Sequence, residues 1–222
     1  GDGTISDNNT KLMWQQQDTN NGYNYNNAVS YCNDLSFADY SDWRLPSKKE
    51  LISIIDFGRF EPAIDKTKFL NAKSSTYWTS TVSTYSGSYA WTVPFSQGLF
   101  GPAPQSYYGL YALCVRNDQI SISFVDNGND TITDQKTRLI WQKQDDGSKR
   151  KREDSLDYCE NLTLGGSSAW RLPNIKELES IVDDNNVSPS INASYFPNTK
   201  HLSYANYICL LYTSDAADDS LR

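Results

Sequence analysis

The chain has 222 residues and a formal net charge of −7, a length that suits one large or two ordinary domains and a balance that argues against a nucleic-acid binder, whose face must be basic. Apolar residues make up 38% and aromatic residues 13%, with six Trp and fifteen Tyr, enough large side chain to fill a core while keeping polar handles. No stretch is long and apolar enough to cross a bilayer, and no signal peptide is present. The chain begins abruptly at Gly1 inside a repeat, so it is taken as a fragment or mature piece whose missing leader does not imply a cytosolic protein. The one basic run, Lys149-Arg150-Lys151-Arg152, is short and followed by Glu153 and Asp154, as on a solvated loop.

In chain order, residues 3–7 and 11–17 form a predicted β-hairpin around Asn8-Asn9. Ala28, Tyr31, Cys32 and Leu35 fall at helical spacing, which predicts an amphipathic helix over 25–35. Trp43-Arg44-Leu45-Pro46 is an extended entry, because the residue before a proline avoids the α region. Ser47 then caps a helix running to about Asp56, and Glu50 supplies the reciprocal half of a capping box. Tyr77–Thr81, Tyr89–Phe95 and Tyr111–Arg116 are β-like runs separated by Gly, Pro and Ser. Among them, Trp91 is expected in the core.

The pattern then repeats. An offset of 127, which carries Cys32 onto Cys159, also carries Trp14-Gln15 onto Trp141-Gln142 and Trp43-Arg44-Leu45-Pro46 onto Trp170-Arg171-Leu172-Pro173. From Thr4 to Asp56 roughly 23 of 53 positions are identical, so an internal repeat outranks any local reading, and its period is domain-sized. In the second copy a strand over Ile120–Val125 and a turn over Asp126–Asp130 precede the hairpin. Each unit is therefore expected to be α+β, two helices on a small, twisted, mostly antiparallel sheet.

Unit one holds Cys32 on the first helix and Cys114 on the last strand. Paired, they would tie the start of the domain to its end, with about 4 kcal/mol from closing so long a loop, and would fit an oxidising compartment. Unpaired, they would be two buried thiols. A metal site is not expected: no Cys-x-x-Cys spacing occurs and the sole histidine is His201. The repeat register holds through Tyr77/Tyr204 and then fails, which puts the expected partner of Cys159 near position 241 and makes Cys209 the wrong one. From Cys209 onward the sequence resembles the translation of a transposon-end sequencing adapter. The expected boundaries are thus 1–118, 119–208 for a truncated second unit lacking its last three strands, and 209–222 for a tail of non-biological origin.

The ordered set Asp7, Leu12-Met13-Trp14-Gln15, Ala28, Tyr31-Cys32, Leu35, Asp42-Trp43-Arg44-Leu45-Pro46, Glu50-Leu51, Tyr77-Trp78-Thr79-Ser80-Thr81, Ala90–Phe95 and Cys114-Val115-Arg116 resembles the Lcl C-terminal domain family of bacterial surface and secreted proteins. It covers all of unit one and the first two-thirds of unit two. More remotely the order is similar to C-type-lectin-like folds, including the formylglycine-generating-enzyme branch. The resemblance implies two tandem C-type-lectin-like domains, with Cys32 and Cys114 at the positions of that fold's long bridge. It implies an extracellular, cell-surface or periplasmic location. The adhesin for which the family is named binds sulphated polysaccharides, but this chain is acidic and shows no evident cationic face. The calcium motifs of lectins are missing, and the Asp126–Asp134 turn lacks the register of a calcium loop.

No nucleophile–base constellation can be assembled, since unit one has no histidine, and Cys32 and Cys114 occupy bridge positions, not reactive ones. No Asp/Glu spacing singles out a glycosidase pair. The expectation is a non-enzymatic module without cofactor that takes a polysaccharide or protein ligand and neither nucleic acid nor a membrane. A structural envelope module and an enzyme on the same scaffold are the alternatives. The candidate ligand surface is Thr84–Tyr108, through Tyr85, Tyr107 and Tyr108, because tyrosines set among Ser and Gly give large contact area at low entropic cost.

Overall fold

The structure is a computed structural model that describes residues 1–84, 86–98, 100–119, 121–186, 190–199 and 209–211. The chain divides into two compact units, Gly1–Ile120 and Ser121–Arg222. Both are α+β, with short helices and small antiparallel sheets.

In unit one, β1 (Thr4–Ser6) and β2 (Met13–Gln15) pair as a hairpin. Asp7 closes its turn by accepting from the Asn9 amide at 2.8 Å and the Thr10 hydroxyl at 2.7 Å, as Asx-turn residues do. Helix α1 (Tyr25–Asn33) starts at Asn24, whose side chain accepts from the Asn27 amide, and buries Ala28 and Cys32. Helix α2 (Lys48–Ser53) starts at Ser47 with both halves of the capping box formed. It stops short of the expected Asp56, whose amide donates instead to the Ala63 carbonyl at 2.9 Å.

Strands β3 (Thr76–Val82), β4 (Tyr89–Pro94) and β5 (Gly101–Pro104) form one sheet, and β6 (Val115–Arg116) completes another in the order β1-β2-β6. Two sheets thus replace the single one expected. The strand read over Tyr111–Arg116 shrinks to two residues because side chains take its ladder. The Ala112 amide donates to the Thr19 hydroxyl at 3.1 Å, and the Cys114 amide to the Gln15 side-chain carbonyl at 3.0 Å. Conversely, Gly101-Pro102-Ala103-Pro104 looks like a turn in sequence. It lies at a sheet edge, where prolines with no N–H to donate are tolerated.

Two cores result. Trp14, Leu51, Ile55, Tyr77 and Phe95 fill one, and Trp43, Leu45 and Trp78 fill the other around the bonded Cys32 and Cys114. That bridge has a sulfur–sulfur distance of 2.03 Å and joins residues 82 apart.

Unit two holds β7 (Phe124–Asp126), β8 (Thr131–Asp134), β9 (Ile140–Gln142), α3 (Arg152–Glu160), β10 (Trp170–Arg171), α4 (Ile175–Ser180) and β11 (Leu210–Leu211). Its sheet runs β10-β11-β9-β8-β7. The strand expected from Ile120 begins at Phe124, and Ile120 itself lies outside the described residues.

The expectation for the end of this unit is corrected. Cys159 is bonded to Cys209, 50 residues on, with a sulfur–sulfur distance of 2.13 Å. Cys209 takes the seat that Cys114 takes in unit one. Val115 pairs with Trp14 and Arg44, and Leu210 pairs with Trp141 and Arg171. The Gln142 amide donates to the Cys209 carbonyl, and the Cys209 amide to the Gln142 side chain, repeating both bonds between Gln15 and Cys114. The seat asks only for a sulfur followed by two extended residues, so Cys-Leu-Leu suffices whatever the origin of the segment. Unit two thus carries a bridge of its own.

Candidate functional site

The Thr84–Tyr108 segment crosses from β3 to the turn after β5. Tyr107 and Tyr108 stand 55% and 66% exposed, and Tyr85 lies outside the described residues. The turn that carries them is fixed by its backbone. The Tyr23 amide donates to the Leu110 carbonyl at 2.7 Å, and the Gly109 and Leu110 amides donate back to the Tyr23 carbonyl at 3.3 Å. The Tyr25 amide donates to the Gln105 carbonyl at 3.1 Å. Gln105 also ties in the β3–β4 loop, donating from its side chain to the Gly87 carbonyl at 3.0 Å. Contact is so close that a Cβ on Gly22 would lie 2.4 Å from the Gly109 Cα. Gly109 itself has φ of 107°, a conformation that favours glycine.

This docking brings in two tyrosines that the sequence did not single out. Tyr23 stacks on Tyr31 of α1 with ring centroids 5.5 Å apart and planes 28° from parallel. Burial, and then the neighbouring hydroxyls of Tyr31 and Tyr108, push the Tyr23 phenol above its ordinary value. Tyr23, Tyr31 and Tyr108 therefore lie together, and Tyr107 is exposed on the same turn as Tyr108. The available signal was the Asn- and Tyr-rich run Asn20–Asn27, which reads locally only as a helix entry.

Two other aromatics of the segment, Trp91 and Phe100, pack on each other edge-on at 6.3 Å. The Lys48 ammonium sits 4.5 Å from the Trp91 ring and 5.3 Å from the Phe100 ring. Trp91 is half-buried outside both cores, a correction to its expected place, because the inward positions of β4 belong to Ala90, Thr92 and Val93.

Two polar clusters brace unit one. Arg44 donates to both oxygens of Glu50 at 2.7 and 2.8 Å, and the Ser47 amide donates to the same carboxylate at 2.8 Å. Unit two repeats this with Arg171 and Glu177. The buried Asp18 accepts from the Tyr77 hydroxyl and from the Lys73 ammonium, the latter at 2.7 Å. Burial and that carboxylate push the Tyr77 phenol well up. Asp18, Asn71, Lys73 and Tyr77 recur in sequence as Asp145, Asn198, Lys200 and Tyr204, the last two outside the described residues. These groups satisfy one another, as a structural network does.

Among the described residues every carboxylate with a resolved shift, Asp2, Asp42, Asp65, Asp126 and Asp146, is held below its ordinary range by hydrogen bonds and cations. No helix among them is long and apolar enough to cross a membrane, and no group of three His, Cys, Asp or Glu gathers there as a metal site would require. His201 lies outside them.

Comparison with curated proteins finds no match. The family model of the Lcl C-terminal domain matches residues 3–116 and again residues 130–220. The two matches fall on the two structural units and take in both bridges and both Arg–Glu braces. The chain belongs to the Lcl C-terminal domain family, of which it carries two tandem copies.

Proposed function

We propose that the chain is a non-enzymatic, secreted or cell-surface binding module built of C-type-lectin-like units, and that unit one holds a carbohydrate through its Thr84–Tyr108 loop. One observation carries this reading: Tyr107 and Tyr108 stand exposed on a turn whose backbone is already locked against Tyr23. A preformed aromatic surface loses little entropy on binding. The two disulfides support an oxidising compartment, and the family's occurrence on bacterial surfaces supports the location.

Glycan-array binding by the chain and by its Tyr107→Ala and Tyr108→Ala variants tests the loop. Loss of about tenfold in apparent affinity in either variant is expected, the size of one well-placed aromatic contact. Unchanged glycan binding in both would remove the loop from the site, and binding of proteins without any glycan would replace the carbohydrate reading.

A further inference from the structure

The aromatic face of unit one is built from two segments, Thr19–Asn33 and Ser74–Val115. Neither contains a single Asp, Glu, Lys, Arg or His, in a chain that is 21% charged. What the face offers instead is phenol and amide: Tyr23 stacked on Tyr31, the exposed Tyr107 and Tyr108, and Asn26 and Asn27 exposed on α1. Aromatic faces carry negative quadrupole density that favours the weakly positive C–H edges of a neutral ring. Amides can donate and accept to hydroxyls. A sulphate or carboxylate would find no counter-charge on these segments and would lose hydration without return.

Beside the first helix, unit two carries charge where unit one carries a phenol. Tyr23 is replaced at the repeat offset by Arg150, and the guanidinium lies 4.0 Å from the Tyr158 ring, in the place of the Tyr23–Tyr31 stack. Asp146, Lys149, Lys151 and Arg152 surround it in sequence. The fold therefore accepts either an aromatic or a cation over that tyrosine, and the aromatic version in unit one is not dictated by packing.

We infer that unit one is a site for an uncharged saccharide, that Tyr23 and Tyr31 on the α1 side form part of it beside Tyr107 and Tyr108, and that the Arg150–Tyr158 side of unit two does not take that ligand. This rests on the loop reading above and adds the ligand class and two residues to it.

The test uses the full chain with dextran, mannan and xyloglucan as uncharged probes and dextran sulfate as the charged form of one of them. Retention is measured by affinity electrophoresis and titration calorimetry at low and high salt. Binding of at least one uncharged polysaccharide is expected, changing less than about twofold between 50 and 500 mM salt because no ion pair is screened. Tyr23→Phe should keep it. Tyr23→Arg, which copies unit two and so should fold, should weaken it by about tenfold. Preference for dextran sulfate, or affinity that collapses with salt, would overturn the uncharged-ligand inference while a Tyr107→Ala loss still upheld the loop. Uncharged binding that Tyr23→Arg leaves intact would remove the α1 side. Failure of all four probes would overturn both readings.

Discussion

At the residue scale, Ala38 and Asp39 turn the chain between Phe37 and Tyr40 with φ of 52° and 63°, a conformation costly for side chains with a Cβ. Unit two places Gly165 and Gly166 at the same turn, with φ of 60° and 82°. Ala38→Gly is therefore expected to raise stability by about 1 kcal/mol in urea unfolding, and no gain would contradict the strain. The reverse change, Gly165→Ala, should destabilise, since its Cβ would lie 2.7 Å from Thr131 Cγ2. Asp146 gives a pH prediction. The Arg150 guanidinium holds its carboxyl down at about 2, below the unfolded value of about 3.9. Its contribution is thus present above about pH 4 and lost as pH falls from there towards 2. A carboxylate titration by NMR should place its midpoint near 2 in the parent, and Arg150→Gln should move it up towards the ordinary range. A midpoint already ordinary in the parent would refute the pairing. Such effects are hard to foresee in sequence: Tyr23 and Arg150 occupy matched positions, yet only the folded entries to α1 and α3 show each lying on the tyrosine eight residues on.

At the element scale, the twice-used helix entry was largely legible. Ser47 and Asn174 cap, Glu50 and Glu177 reciprocate, and the proline fixes the approach. What sequence did not show was the arginine between tryptophan and leucine reaching forward to the capping glutamate, because no periodicity links residues across a proline. Glu50 is fully buried against a partner 20% exposed, and removing one side of a buried pair strands the other. Glu50→Gln is expected to cost about 3 kcal/mol by urea unfolding. Glu177→Gln should cost less, since Glu177 and Arg171 are 16% and 35% exposed. Equal losses would mean that burial does not govern the brace. The bridges act at the same scale. In the chain-entropy model, Cys32→Ser with Cys114→Ser should cost about 4 kcal/mol, and Cys159→Ser with Cys209→Ser nearly as much, because the dependence on loop length is logarithmic. A second pair that could be removed without loss would show that Cys209 does not brace unit two.

For the molecule as a whole, repetition was the clearest signal in the chain, and the family model finds the same two tandem copies. The misread partner of Cys159 follows from the same strength. An exact offset predicts a partner at the same spacing, whereas the fold requires only that a cysteine reach its seat, at 82 residues in one unit and 50 in the other. The two units share a frame and differ beside the first helix, where Tyr23 stacks on Tyr31 in one and Arg150 lies over Tyr158 in the other. Whether the tyrosine face of unit one holds a saccharide is best decided by mapping amide shifts in the isotope-labelled full chain as oligosaccharides of dextran, mannan and xyloglucan are added. The account predicts that shifts gather on residues 22–31 and 105–109. Shifts centred on unit two, or none with any of the three, would contradict it.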